Sequence, residues 1–141
     1  MEKVQNENVV QNKQDIQLEV RNLSIEFRTF DGVVKAVNNM HFKVPRGKTI
    51  GLVGETGAGK TTTAMAILGL VPSPPGVITS GEILFEGKDI NKMSKQELRK
   101  IRGSEISMIF QNPMTALNPV YTVGKQISDV LREHENISRA E

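Results

Sequence analysis

Residues 54 to 61 read Gly54-Glu55-Thr56-Gly57-Ala58-Gly59-Lys60-Thr61, and this stretch decides the fold. The apolar run Thr49 to Val53 precedes it and predicts a strand that is buried on both faces. After it, apolar residues recur at i, i+3, i+4 and i+7, which predicts a helix with one apolar face: Ala64, Ile67, Leu68 and Val71. Strand, glycine-rich loop and helix in this order predict an α/β fold.

The stretch matches the P-loop pattern G-x-x-x-x-G-K-[ST]. Gly54, Gly57 and Gly59 can adopt backbone angles closed to other residues, so that successive N–H groups point at a bound anion. The following helix directs its positive dipole end at the same place. Lys60 can span the β- and γ-phosphates, while the Thr61 hydroxyl can bind Mg²⁺. A glycine-rich turn without a ligand is the alternative, but we expect ATP with Mg²⁺.

The composition limits the other possibilities. The 141 residues suffice for one domain, and 38% hydrophobic with 24% charged residues is ordinary for a globular chain. The net charge is only +2, and the basic residues are spread among acids with few aromatics, so nucleic-acid binding is not expected. The absence of cysteine excludes disulfides and cysteine-based zinc sites. Without a signal peptide or an 18-residue apolar run, we expect a cytoplasmic chain that reaches the membrane only through partners.

The chain divides into a flexible tail, residues 1–15, and one domain, residues 16–141. From Ile16 onward, apolar and polar residues alternate as in half-buried strands, with a turn signal at Asp31-Gly32. This region predicts a small antiparallel sheet, which the alternating residues from Gly81 to Lys88 extend. The apolar run from Ile106 to Phe110 predicts a further strand.

Two more helices are expected. Ser94 and Glu97 fit a capping box, so a short helix should run to about Arg102. Its basic residues are interpreted as a solvated face in preference to an anion site: Lys95, Arg99, Lys100 and Arg102. A final helix begins at Thr122 with an apolar stripe that we expect to be exposed and prone to self-association: Val123, Ile127, Val130 and Leu131.

Four segments together resemble the ATP-binding cassette (ABC) family, and within it the ATPase subunits of oligopeptide and dipeptide importers. The segments are Leu18 to Ser24, Gly51 to Thr61, Gly81 to Gly87 and Phe110 to Pro119. The resemblance extends from about Ile16 to the end of the chain. It implies a P-loop NTPase (RecA-like) core with an N-terminal antiparallel β subdomain and the start of a helical subdomain.

The resemblance also assigns roles to particular residues. It implies that Gln111 is the glutamine of the Q-loop, which contacts Mg²⁺ and joins the nucleotide core to the helical subdomain. Phe27 falls where such proteins stack an aromatic ring on adenine, although a core strand residue is an open alternative. Thr62 is implied as a further phosphate contact. The nucleotide-binding set is completed by the P-loop, residues 54–61, with Gly54, Glu55, Thr56, Gly57, Ala58, Gly59, Lys60 and Thr61.

By the same resemblance, the protein is expected to couple ATP binding and hydrolysis to peptide uptake. The implied partners are a second ABC ATPase in a head-to-tail dimer, transmembrane permease subunits that hold this chain on the inner face of the membrane and, indirectly, an extracytoplasmic substrate-binding protein. The Leu-Ser-Gly-Gly-Gln signature, an Asp-Glu Walker B strand and a switch histidine are missing from the sequence. We therefore expect an incomplete, N-terminal fragment that binds ATP without hydrolysing it.

Three alternatives remain open at this point. The chain could be a truncated nucleotide-binding module without turnover, or the cassette of a nickel or other small-solute importer. A P-loop kinase is disfavoured by the segment from Gln111 to Pro119.

Overall fold

The computed structural model describes residues 15–112 and 117–135. The expected tail, apart from its last residue, lies outside these ranges. So do residues 113–116 and 136–141, and with them the middle of the segment after Gln111 on which the subfamily resemblance depends most.

An antiparallel four-stranded sheet dominates the described residues. Its strands are β1 (Ile16–Thr29), β2 (Gly32–Pro45), β3 (Gly76–Phe85) and β4 (Lys88–Asp89), in the spatial order β2-β1-β3-β4. This confirms the expected antiparallel β subdomain and the turn at Asp31-Gly32, since Thr29 pairs with Gly32. After the turn, β2 runs without a break to Pro45, although its pairing with β1 is irregular near Asn39, where φ is +51°.

The hydrophobic core lies on one face of the sheet. Val20, Leu23 and Ile25 of β1 are completely buried, as is Ile83 of β3. Helix α1 (Lys60–Ile67) covers this face with Ala66, which is also buried completely. The core therefore places the beginning of α1, and the glycine-rich loop before it, beside strand β2.

The helices largely follow the sequence signals. Helix α2 (Lys95–Ile101) has both capping-box hydrogen bonds between Ser94 and Glu97, and helix α3 (Val123–His134) begins after Thr122, whose hydroxyl accepts the Lys125 N–H. A 3₁₀ turn (Ile90–Lys92) precedes α2. The prediction of which face of α1 is buried is partly wrong. Within the helix, the fully covered residues are Thr63 and Ala66, the positions that meet the sheet.

Neither of the two expected apolar strands is present among the described residues. Residues 49–53 and 107–110 have no strand assignment, and Ile106 forms only an isolated bridge with Arg102. Val53 is 96% exposed and Ile109 is 95% exposed. A strand needs a neighbour to satisfy its backbone N–H and C=O groups. No such neighbour lies beside these segments in the described part of the chain, so the sequence prediction of buried strands was wrong here.

The apolar stripe of α3 is exposed as expected. Val123, Ile127, Val130 and Leu131 are 44–57% exposed. None of the helices in the described ranges is long and apolar enough to cross a membrane.

Candidate functional site

The glycine-rich loop adopts the backbone conformation that its glycines allow. Gly57 and Gly59 have φ values of +86° and +77°, in the left-handed region. A Cβ atom on Gly59 would overlap the carbonyl oxygen of Ala36 and would lie 3.1 Å from a methyl group of Val37. The loop therefore packs against strand β2 through a glycine that has no room for a side chain.

The loop leads directly into the N-terminus of α1. Gly59 is the N-cap and offers no side chain to accept the first N–H groups, and the first turn contains no acidic residue. The Thr63 hydroxyl and N–H donate to the Gly59 carbonyl at 2.9 and 2.8 Å, which fixes the start of the helix. The N–H groups of this first turn are therefore left for an anion.

The Lys60 side chain folds back over the loop. Its Nζ donates to the carbonyl oxygens of Gly54 and Glu55 at 2.7 and 2.5 Å. The Ala58 N–H also donates to the Glu55 carbonyl, at 3.2 Å, and closes the loop. An ammonium has three donors, so these contacts hold the Lys60 charge at the loop and leave one donor for a ligand.

A cavity of about 250 Å³ lies where the loop, the helix and the segment before α3 meet. Its lining consists of Thr56, Gly57, Gly59, Lys60, Thr61, Thr62 and Gln111. Gln111 is 50 residues beyond Thr61 in the sequence, yet both residues border the same space. The cavity thus combines a lysine, hydroxyl groups, an amide and open backbone N–H groups, which are the donors and ligands that a phosphate chain with Mg²⁺ requires.

The other residues predicted to bind nucleotide are not among those that line the cavity. Gly54 and Glu55 hold Lys60 through their carbonyls, and the Ala58 Cβ lies 3.3 Å from the Cβ position of Gly54. Phe27 is half-buried in β1, packs against the core and is not among the residues that line the cavity. Its role in adenine binding stays a prediction.

A second aromatic residue lies on the same hairpin as Phe27. Phe30 lies in the turn between β1 and β2 and is fully exposed. Its place in a hairpin turn next to Asp-Gly, outside the alternating strand, agrees with this exposure.

A family model described as "ABC transporter" matches residues 37–141. The chain belongs to the ABC transporter family. Among curated relatives, it is 52% identical over 122 residues to the oligopeptide transport ATP-binding protein OppD of Bacillus subtilis, covering 86% of this chain and 34% of that protein. It is 47% identical over 122 residues to the dipeptide transport ATP-binding protein DppD of the same organism, covering 86% of this chain and 36% of the relative. It is 44% identical over 133 residues to the Escherichia coli OppD, covering 94% and 39%.

The fold of this ABC family member is also found in a solved structure. The dimeric structure of MJ0796, a bacterial ABC transporter cassette, matches with a TM-score of 0.73 at 22% identity, covering 86% of this chain and 49% of that one. This confirms the cassette fold with its antiparallel β subdomain. The chain spans about a third of the length of the curated relatives and about half of the cassette chain.

Proposed function

We propose that this chain binds the triphosphate of ATP together with Mg²⁺ at the glycine-rich loop. The observation that carries the proposal is the shared cavity of Lys60, Thr61 and Gln111 at the N-terminus of α1. The loop fits the ligand because Gly59 leaves its backbone against β2 and no side chain caps the helix. When bound, Mg²⁺ would neutralise part of the negative charge of the phosphates.

The residues of the proposed site have distinct parts in this binding. Lys60 is already held beside the loop, so a phosphate oxygen can replace a carbonyl oxygen as the acceptor of its N–H groups. The backbone N–H groups of the first turn donate to the same phosphates. The Thr61 hydroxyl and the Gln111 side-chain oxygen would hold the metal, and Thr62 would donate to phosphate. Phe27 or the exposed Phe30 would contact the adenine ring.

We further propose that the whole protein is the ATP-binding subunit of an importer for oligopeptides or dipeptides. The printed names of its relatives, at 44–52% identity, support peptide transport. A second ATPase subunit is supported by the dimeric cassette of the same fold. Transmembrane permease subunits, which would hold the ATPase on the inner face of the membrane, and indirectly a substrate-binding protein would complete such a system. A nickel or other small-solute importer is the remaining alternative for the transported substrate.

Hydrolysis by the chain alone is not part of the proposal. The described residues that line the cavity supply a lysine, hydroxyls and an amide, but no carboxylate that could polarise water. Phosphoryl transfer to water needs an oriented nucleophile in addition to a bound metal. The residues 1–141 are therefore proposed as a binding module, and turnover as a property of the whole protein.

The first test is the Lys60→Ala variant, studied by isothermal titration calorimetry with Mg²⁺-ATP. A hydrogen bond to a charged group contributes about 1.5–3 kcal/mol, so affinity should fall at least about tenfold. Lys48→Ala, an exposed lysine outside the cavity, is the matched control and should bind as the parent does. Equal affinity of parent and Lys60→Ala would show that the loop is not the phosphate site.

A further inference from the structure

Thr63 is a polar residue at a fully buried position of α1. It is 1% exposed and lies one turn before Ala66, on the side of the helix that meets the sheet. Its backbone N–H and its hydroxyl both donate to the Gly59 carbonyl, at 2.8 and 2.9 Å. A valine has nearly the same shape and would avoid taking a hydroxyl out of water. Packing in the core alone therefore does not account for the hydroxyl.

The carbonyl that accepts these two bonds belongs to the peptide unit that joins Gly59 to Lys60. A threonine in a helix often donates to the carbonyl four residues earlier, but here that carbonyl is the one of the N-cap residue. A carbonyl oxygen has two lone pairs, so the two donors of Thr63 can occupy both. Because a trans peptide unit is planar, holding the C=O along the helix directs the Lys60 N–H the opposite way, out of the helix N-terminus.

The N–H held in this way faces the candidate nucleotide site. It is one of the first N–H groups of α1, which no carbonyl of the helix can accept, and both Gly59 and Lys60 line the cavity of about 250 Å³. On its other side, Gly59 lies so close to the Ala36 carbonyl that it has no room for a Cβ atom. The peptide unit is therefore held between β2 and Thr63. Hydrogen bonds in a chain polarise one another, so the bonds to the Gly59 carbonyl also strengthen the Lys60 N–H as a donor.

We propose that Thr63 is a positioning residue for phosphate binding. Its hydroxyl fixes the orientation of the peptide unit between Gly59 and Lys60, so that the Lys60 N–H is directed at the phosphates of ATP. Thr63 is not among the residues that line the cavity, so it acts through this peptide unit and not by contact with the ligand. This inference rests on the proposed function, because it assumes that the phosphates bind at the beginning of α1.

The test compares two substitutions that change different parts of the Thr63 side chain. Thr63→Val keeps the shape and removes the hydroxyl. Its melting temperature should stay close to that of the parent, since the backbone bond to Gly59 remains, but its affinity for Mg²⁺-ATP should fall about threefold to tenfold, because one hydrogen bond to a charged phosphate is weakened. Thr63→Ser keeps the hydroxyl and loses a buried methyl group. It should melt at a lower temperature yet bind Mg²⁺-ATP as the parent does.

The amide-proton resonance of Lys60 reports the orientation of the peptide unit directly. The probe is inorganic triphosphate with Mg²⁺, added to saturation so that a lower affinity does not affect the result. Hydrogen bonding to phosphate should shift the Lys60 resonance downfield in the parent and in Thr63→Ser. The shift should be smaller in Thr63→Val. A residue that only stabilises the fold would leave this shift unchanged.

Two controls separate positioning from a general effect on threonines or on α1. Thr79→Val removes an exposed hydroxyl that donates to the Ser24 carbonyl at 3.3 Å, away from the cavity, and should bind as the parent does. Arg102→Met acts at the other end of α1, where the guanidinium donates to the carbonyls of Leu68 and Gly69 at 2.7 and 2.8 Å. The sequence prediction of a solvated basic face was therefore wrong for Arg102. Arg102→Met should lower the melting temperature and leave the affinity for Mg²⁺-ATP unchanged.

Several results would overturn the inference while the proposed nucleotide site stands. Thr63→Val could bind Mg²⁺-ATP as tightly as the parent, or Thr63→Ser could lose as much affinity as Thr63→Val, which would show that the hydroxyl is not the cause. An unchanged Lys60 resonance shift in Thr63→Val, or an equal loss of affinity in Arg102→Met, leads to the same rejection. If Thr63→Val does not fold, Thr63→Ala takes its place, because it differs from Thr63→Ser only by the hydroxyl, and equal affinities of these two reject the role. Failure of the parent to bind Mg²⁺-ATP refutes the proposed function, and this inference with it.

Discussion

Gly57 and Gly59 share a left-handed backbone conformation but differ in what surrounds them. No atom lies within 4 Å of the Cβ position of Gly57, whereas that of Gly59 overlaps the Ala36 carbonyl. Gly57 is therefore needed only for its φ angle. Gly59 is needed both for its φ angle and for the close approach of the loop to β2.

The two alanine substitutions should consequently have different effects. Gly57→Ala places a side chain in the left-handed region and should lower the free energy of unfolding by about 1–2 kcal/mol. Gly59→Ala adds the cost of overpacking, about 1–3 kcal/mol more. Urea denaturation measures both, and calorimetry should show the larger loss of ATP binding in Gly59→Ala. Equal destabilisation would contradict the packing of Gly59 against Ala36.

The two phenylalanines of the first hairpin invite a similar comparison. Phe27 is half-buried against the core and Phe30 is fully exposed. If Phe30 stacks on adenine, Phe30→Ala should weaken ATP binding about tenfold, since stacking of a base on an aromatic side chain is worth about 1–3 kcal/mol. The melting temperature of Phe30→Ala should equal that of the parent.

Phe27→Ala should lower the melting temperature because it leaves a cavity. Inorganic triphosphate, which has no base, is the control ligand. Loss of ATP affinity in a stable Phe27→Ala protein would favour the original prediction for Phe27.

At the scale of elements, charged side chains connect neighbouring strands across the face of the sheet opposite the core. Glu19 of β1 is buried, and its carboxylate contacts Arg21 at 2.7 Å and Lys43 of β2 at 3.1 Å. Arg21 in turn approaches Glu82 of β3 at 3.6 Å. The hydrogen bond from Arg21, helped by Lys43 and opposed by burial, lowers the pKa of Glu19 from 4.5 to about 2.

This lowered pKa predicts how stability depends on pH. The folded state favours the ionised carboxylate, so the stabilisation is fully present above pH 4.5 and is lost as the pH falls towards about 2. Near neutral pH, Glu19→Gln should lower the free energy of unfolding by about 1–2 kcal/mol, a value reduced by solvent around the partners. The difference from the parent should shrink below pH 4.5. A difference in the free energy of unfolding that does not depend on pH would contradict the ion-pair explanation. Arg21→Met should reproduce most of the loss of stability near neutral pH.

At the scale of the whole molecule, the described chain exposes apolar surface in several places. The segments around Val53 and Ile109 and the stripe of α3 are all open to solvent. Large exposed apolar patches favour association. Self-association of the purified chain therefore stays a prediction, and it must be controlled in every measurement of activity.

Residues 1–141 alone should show no ATPase activity above background. Lys60, Thr61 and Gln111 can bind phosphate and metal, but the described cavity lining provides no group to activate water. Release of inorganic phosphate is measured with excess Mg²⁺-ATP, and Lys60→Ala reports contaminating ATPases. If the parent hydrolyses ATP at the rate of a complete cassette and Lys60→Ala does not, this chain is catalytically sufficient.

Local signals in the sequence determined the glycine-rich loop, the capping box at Ser94, the N-cap at Thr122 and the antiparallel sheet. Each of these depends on residues close in the sequence or on simple alternation, so the physical cause is visible in the chain itself. The tertiary structure decided the rest. It brought Gln111 to the loop, turned Thr63 and Ala66 of α1 inward and placed Arg102 on the end of α1. It also left residues 49–53 outside any strand, because a strand forms only beside a partner, and apolar residues do not specify where that partner lies.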